Sequence, residues 1–314
     1  MIGVRTVTGD VPAAELGRVD YHEHLFQVSP LLPGDELDDE AASGAEAGHL
    51  RDSGFEAMVD ATPIGLGRRP AALRRISGAT GLRIVATTGT HREQHYPADH
   101  WLRELSAADR AELFVRDLTE GMPPEDGPDA ADRTDVRAGL VKAGIGYWSI
   151  SPFERATLDA VAEAASRTGA PVMVHLEFCT AAHEVLDLLE AAGVAASRVV
   201  LAHADRDPDS VLHLELAGRG AFLGYDGMAR PRTRSDAELV GLTEAVVDGG
   251  GARHILLGGD VARSTRYLAY GGMPGLGYLG ARYVPRLRQA VGETATTRML
   301  VDNPHRFLTW STPA

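Results

Sequence analysis

The sequence predicts an α/β protein, a (β/α)8 TIM barrel forming a single domain over residues 1–314. Three observations carry this. Eight short, mostly apolar segments recur along the chain, as strands buried on both faces should. Segments of helical periodicity lie between them. The length of 314 residues suits one barrel, a fold that commonly runs to about 250 residues or more. An open doubly wound sheet is the rival architecture for the same alternation.

The first three expected strands are Arg18–Tyr21, Ala57–Ala61 and Arg83–Thr87. The stretches Pro33 to Gly48 and Gly121 to Asp135 are rich in Asp, Glu, Gly and Ala or Pro, and read as exposed loops or helix edges, not as domain boundaries. Ala138–Lys142 is the fourth strand. Pro152 to Thr168 then repeats Ala, Leu and Val at three- and four-residue spacing and stops at Gly169, a C-cap signal. The remaining strands are Val172–His175, Val199–His203, Ala221–Tyr225 and Ile255–Asp260, with helices at Ala181–Ala192 and Asp236–Asp248. Near the end, Asn303-Pro304 reads as a helix N-cap followed by proline at the first helical position.

A net charge of −13 argues against nucleic acid or an anionic membrane as partner. It leaves room for a small anionic substrate held by a local group of arginines. The one cysteine, Cys179, excludes a disulfide within the chain. With no apolar leader at the N-terminus and no stretch long enough to span a membrane, a cytoplasmic protein is expected.

Barrel enzymes carry their chemistry at the C-terminal ends of the strands. The first strand ends in Asp20-Tyr21-His22-Glu23-His24, the fourth in Lys142, the fifth in His175, the sixth in His203 and the eighth in Asp260. Residues i and i+2 of an extended segment face the same way, so His22 and His24 can both turn to the barrel mouth while Glu23 points elsewhere. Neutral imidazole and carboxylate oxygen are good ligands for zinc and related ions. A lone histidine at a strand end is more often structural, and it is the joint placement that points to metal. Lys142 is unusual. Burial lowers a lysine pKa and exposes a neutral amine able to add carbon dioxide, giving an anionic carbamate. The alternative is a snorkelling side chain with its charge in water.

The pieces His22-Glu23-His24-Leu25, Gly139-Leu140-Val141-Lys142, Val172-Met173-Val174-His175, Leu201-Ala202-His203-Ala204-Asp205, Leu257-Gly258-Gly259-Asp260 and the closing Leu300 to Leu308 resemble the phosphotriesterase-related family, the phosphotriesterase-like lactonases of the amidohydrolase superfamily. The resemblance runs in order over nearly the whole chain. It implies two divalent metal ions, zinc by expectation. His22, His24 and Asp260 would hold the more buried ion and His175 and His203 the more exposed one, bridged by carbamylated Lys142 and a hydroxide. It implies that Asp260 moves the proton, and that the substrate is a small ester. A lactone is favoured, with phosphotriester cleavage as a side activity and an amide as the nearest rival. It also implies a homodimer. The reading from a different class is a barrel that binds metal without catalysis; the complete ligand set speaks against it.

The loops after the strands should set specificity. They offer Tyr147 and Trp148, Tyr225 and Arg230, and Arg263, the last being closest to Asp260 in sequence. His91, and with it His95, follows the third strand and can line the pocket. His49, His100, His183, His213, His254 and His305 read as surface or packing residues. Gly275 to Gly280 spells G-x-G-x-x-G, but it follows a loop and not a strand, so the dinucleotide-binding context is missing.

Overall fold

The computed structural model describes residues 3–312 apart from Asp129 and Ala131. A short antiparallel hairpin, β1 (Val4–Thr6) and β2 (Gly9–Val11), precedes a parallel sheet of eight strands. These are β3 (Val19–Glu23), β4 (Ala57–Asp60), β5 (Arg83–Gly89), β6 (Leu140–Gly144), β7 (Val172–His175), β8 (Val199–Ala202), β9 (Phe222–Tyr225) and β10 (Ile255–Leu257). Each pairs with its neighbour in sequence. The two edges meet where the Asp260 N–H donates to the His22 carbonyl at 2.8 Å. The fold is therefore the (β/α)8 TIM barrel, and the doubly wound alternative is set aside.

Helices α1 (Glu40–Asp52), α2 (Pro70–Thr80), α3 (Ala107–Thr119), α4 (Pro152–Thr168), α5 (Ala182–Ala191), α6 (Ser210–Gly218), α7 (Asp236–Asp248), α8 (Val284–Thr297) and α9 (Asn303–Leu308) follow in order. α4 begins in a capping box, with the Ser151 hydroxyl on the Glu154 N–H and the Glu154 carboxylate on the Ser151 N–H, and it ends at Gly169 in the left-handed conformation. The span of α7 is the one expected, and it too starts with a capping box. The acidic stretch before Gly48 is loop only as far as Asp39; its second half is α1.

Strand alternation sorts the core into two shells. Val19, Tyr21, Val59, Val85, Leu140, Met173, Val200, Phe222 and Leu256 fill the barrel, joined at its N-terminal end by Val4, Leu16, Phe307 and Leu308. Met58, Ile84, Val141, Val174, Leu201, Leu223 and Ile255 face outward to the helices. The fourth strand is shifted two residues from its expected position, so Lys142 sits inside β6 and not at its end. Gly89 makes this possible: a Cβ there would lie 2.0 Å from the Lys142 carbonyl oxygen.

One capping expectation fails, and one element is new. Asn303 does not cap α9: its φ/ψ of −68°/−51° are helical, and its side-chain amide donates to the carbonyls of Ala252 and Ile255 at 2.9 and 2.8 Å. The hairpin β1–β2 had no counterpart in the sequence reading, since two three-residue strands are too short to show periodicity. The G-x-G-x-x-G run is preceded by turns and leads into α8, with the Leu276 N–H held by Glu46 at 2.9 Å. Among the described residues no helix is long and apolar enough to cross a membrane.

Candidate active site

The site lies on the seam that closes the barrel. The β3–β4 register shifts between Asp20 and Glu23, and this bulge turns His22 toward the mouth beside His24; the two ring centroids are 5.4 Å apart. Glu23 does point elsewhere. Its fully buried carboxylate accepts the Val261 N–H at 2.9 Å and so fastens the end of β10 to β3. The approach requires glycine at 259, where a Cβ would stand 1.9 Å from Glu23 Oε1. Backbone strain concentrates on this face. Among the described residues, every non-glycine with positive φ (Trp148, Phe178, Cys179, Ala181, His203, Ala229, Asp260 and Ala262) follows a barrel strand at its C-terminal end.

Hydrogen bonds fix which nitrogen of each imidazole is free. Asp226, fully buried, accepts from His22 Nδ1 at 3.1 Å and from His203 Nδ1 at 2.6 Å, and the Tyr21 hydroxyl donates to it as well. The His24 Nδ1 donates to Thr62 Oγ1 at 2.7 Å, because that hydroxyl spends its own proton on the Phe26 carbonyl. His175 Nε2 donates to Glu177 at 2.8 Å. A carboxylate can only accept, so His22 Nε2, His24 Nε2, His175 Nδ1 and His203 Nε2 are left with lone pairs. Burial pushes the His203 pKa down to about 4 and those of His24 and His175 well down, which keeps them neutral. The free nitrogens of His175 and His203 lie 2.8 Å apart. Two lone pairs at that distance would repel, so the pair is suited to share a proton or a metal ion.

Asp260 completes the ring. Its Oδ1 is 3.8 Å from His22 Nε2 and 3.6 Å from His24 Nε2. Burial alone would raise its pKa, but the Arg230 guanidinium, at 2.8 Å from Oδ2, holds it below the usual carboxylate range. His22, His24 and Asp260 form one group able to hold a cation; His22, His203 and Asp226 form another. In the second, the Nδ1 atoms already donate to Asp226, so that contact orients the imidazoles. Lys142 lies beneath, fully buried, its Nζ donating to the Ala61 carbonyl at 2.9 Å. Snorkelling is thus excluded, and burial lowers its pKa to about 8.

The phosphotriesterase family model matches residues 2–308. The chain belongs to the phosphotriesterase family. By that membership it is a hydrolase of ester bonds. It is 30% identical to a phospho-furanose lactonase of Mycoplasmopsis synoviae over 97% of this chain and 91% of that one. Its fold matches a lactonase from Listeria monocytogenes with a TM-score of 0.90 at 30% identity, covering 99% of this chain and 100% of that one. It also matches the phosphotriesterase homology protein of Escherichia coli, crystallised with phosphate in its active site, with a TM-score of 0.84 at 26% identity over 94% and 99% of the two chains.

In this phosphotriesterase-family chain the imidazoles, Lys142 and Asp260 line one cavity of about 270 Å³. His91, His95, Arg230 and Arg263 line it too, as the sequence suggested. Three of the predicted contacts fall elsewhere. Tyr225 is buried on the outer side of β9, its hydroxyl 2.6 Å from His213 Nδ1, and does not reach the cavity. Tyr147 and Trp148 line a neighbouring hollow. His213 and His305 are packing residues as expected, bound to the carbonyls of Ala204 and Gly17.

The sequence reading missed Asp226, Glu177, Arg92 and Arg206. Asp226 lies next to Tyr225, and alternation along β9 was the signal that could have found it. Arg92 and Arg206 line the cavity; Arg92 pairs with Glu177 at 3.1 Å and Arg206 approaches Asp260 at 3.3 Å. A larger hollow of about 580 Å³ on the barrel flank collects Arg68, Arg75, Glu40 and Asp126, but these pair with one another and converge on nothing.

Proposed function

We propose that this chain is a two-metal hydrolase whose substrate is a lactone carrying an anionic group. The observation behind this reading is the convergence of four imidazole lone pairs and the Asp260 carboxylate above a buried lysine. That donor set suits zinc or a related ion. His22, His24 and Asp260 would hold the deeper ion, and His175 and His203 the one nearer solvent. Lys142, as its carbamate, would add an anionic ligand to them; a pKa lowered to about 8 leaves a share of the amine in the neutral form that carbamate formation needs. Held there, such ions would supply Lewis acidity toward the scissile carbonyl and would activate water at neutral pH.

The chain's own groups do the rest. Asp260, ionised beside Arg230, stands where it can take up a proton and pass it to the departing alkoxide. Asp226 and Glu177 keep the histidine tautomers in the ligating form. Four arginines, Arg92, Arg206, Arg230 and Arg263, line the cavity of a protein whose net charge is −13. Three of them are tied to Glu177 or Asp260. Arg263 is the freest, half exposed and 3.2 Å from Asp35, and is the residue placed to receive a phosphate or carboxylate on the substrate. The name of the Mycoplasmopsis relative, a phospho-furanose lactonase, agrees with such a substrate.

The test is a panel of lactones with and without a phosphate group, followed by proton release from zinc-loaded protein. We expect chelator-sensitive turnover, about two metal ions per chain, and a preference for the phosphorylated members that Arg263→Ala removes. Turnover that survives chelation, or in His175→Ala, would sink the metal reading. Electron density or a 13C carbamate signal at Lys142 checks the carbamate.

A further inference from the structure

We propose that Tyr147, Trp148 and Phe178 form a second substrate subsite, a shelf for a flat apolar substituent on the ester cleaved in the adjoining cavity. This rests on the ester-hydrolase reading above. Large aromatic side chains left in water are uncommon on a soluble protein unless they serve a contact. Here three are gathered on the loops after β6 and β7, with Trp148 at 65%, Tyr147 at 63% and Phe178 at 46% exposure. Tyr147 and Phe178 meet edge to face, their centroids 6.2 Å apart. With Thr180, Arg206, Asp207, Pro208 and Arg234 they enclose a hollow of about 470 Å³.

The shelf is held in an unfavourable backbone geometry. Trp148 has φ of +45° and Phe178 of +53°, where bulky residues are rare. Thr180 locks the two loops together: its hydroxyl accepts the Trp148 N–H at 3.1 Å and donates to the Glu177 carbonyl at 2.7 Å. Glu177 is the residue that orients His175. The aromatic platform is thus fastened to the wall of the catalytic cavity.

Position argues for substrate as the occupant. Arg206 lines both hollows, and its guanidinium lies 3.3 Å from Asp260. The shelf and the catalytic cavity therefore share Arg206 as a common wall. Glu177 faces the catalytic cavity and the next residue, Phe178, faces the shelf. A substituent leaving the lactone ring on this side passes over Arg206 and lies against the rings.

The experiment compares γ-butyrolactone with γ-phenyl-γ-butyrolactone on zinc-loaded protein. Wild type should prefer the phenyl lactone, and Trp148→Ala should lower the ratio of the two kcat/KM values by about tenfold. Trp148→Phe, which keeps an aromatic face, should largely restore the ratio. A ratio that Trp148→Ala leaves unchanged overturns the proposal; if the subunit number changes as well, the patch is a contact between chains. A second readout needs no turnover. In zinc-stripped protein the phenyl lactone should quench tryptophan fluorescence saturably, and Trp148→Phe should lose that quench. No quench, or one that persists in Trp148→Phe, overturns the shelf. Failure of wild type to cleave either lactone counts against the ester-hydrolase reading, while the fluorescence result still decides the shelf.

Discussion

The two ends of this barrel are made by the same eight strands and share almost no chemistry. At the N-terminal end, the β1–β2 hairpin lies against the start of β5, where the Val7 N–H meets the Ile84 carbonyl at 2.8 Å. Phe307 and Leu308 of α9 plug the opening, and Arg5 stacks on Trp310 at 4.0 Å. The C-terminal end collects imidazoles, buried acids, a buried lysine and the strained residues. One end is packed for stability; the other accepts desolvated polar groups and left-handed backbone, both costly, to hold a preset geometry. The difference makes a separation testable: substitutions at one end should change folding, and at the other ion binding and turnover.

The largest effect should come from the ligand ring. His22→Ala removes one lone pair and also leaves Asp226 without one of its donors. Metal content by plasma emission spectroscopy should fall, and turnover should drop below detection while the circular dichroism spectrum persists. A fully active His22→Ala would erase the distinction between the two ends.

Next comes the closed end. Phe307→Ala empties a fully buried site against Phe222 and should cost about 3–5 kcal/mol by denaturant melt. Metal stoichiometry in the surviving folded protein should equal that of wild type. A loss of metal would show that the plug is coupled to the rim.

Asp226→Asn sharpens the comparison from the other side. One carboxylate now orients His22 and His203 together. An amide offers one acceptor and one donor, so only one of the two histidines can keep its proton on Nδ1. Metal affinity should weaken by about 10–100-fold. Unchanged affinity in a titration against a zinc chelator would mean that Asp226 does not set the tautomers.

The fold was readable because buried parallel strands and amphipathic helices leave different periods in the sequence, as α4 and α7 show by their spans. The members of the ring were readable because each stands at or near a strand end, which topology alone brings to one rim. What was hidden depends on a single-residue choice or on loop conformation. Glu177 and Arg92 meet only because the loops after β7 and β5 fold toward each other. Tyr225 and Asp226 are neighbours facing opposite sides of β9, and the sequence reading picked the wrong one.

Tyr225 gives the smallest and most discriminating effect. Strand alternation puts its ring among the outer, helix-facing shell with Leu223, and its hydroxyl pairs with His213 Nδ1. Tyr225→Phe keeps the ring and leaves one buried imidazole nitrogen unpaired, a cost of about 1 kcal/mol or somewhat more. A thermal melt should show that loss, while KM for any lactone the enzyme cleaves stays at the wild-type value. If instead KM rises with stability unchanged, Tyr225 reaches the substrate, and the outward shell of β9 contributes to the site that its inward neighbours form.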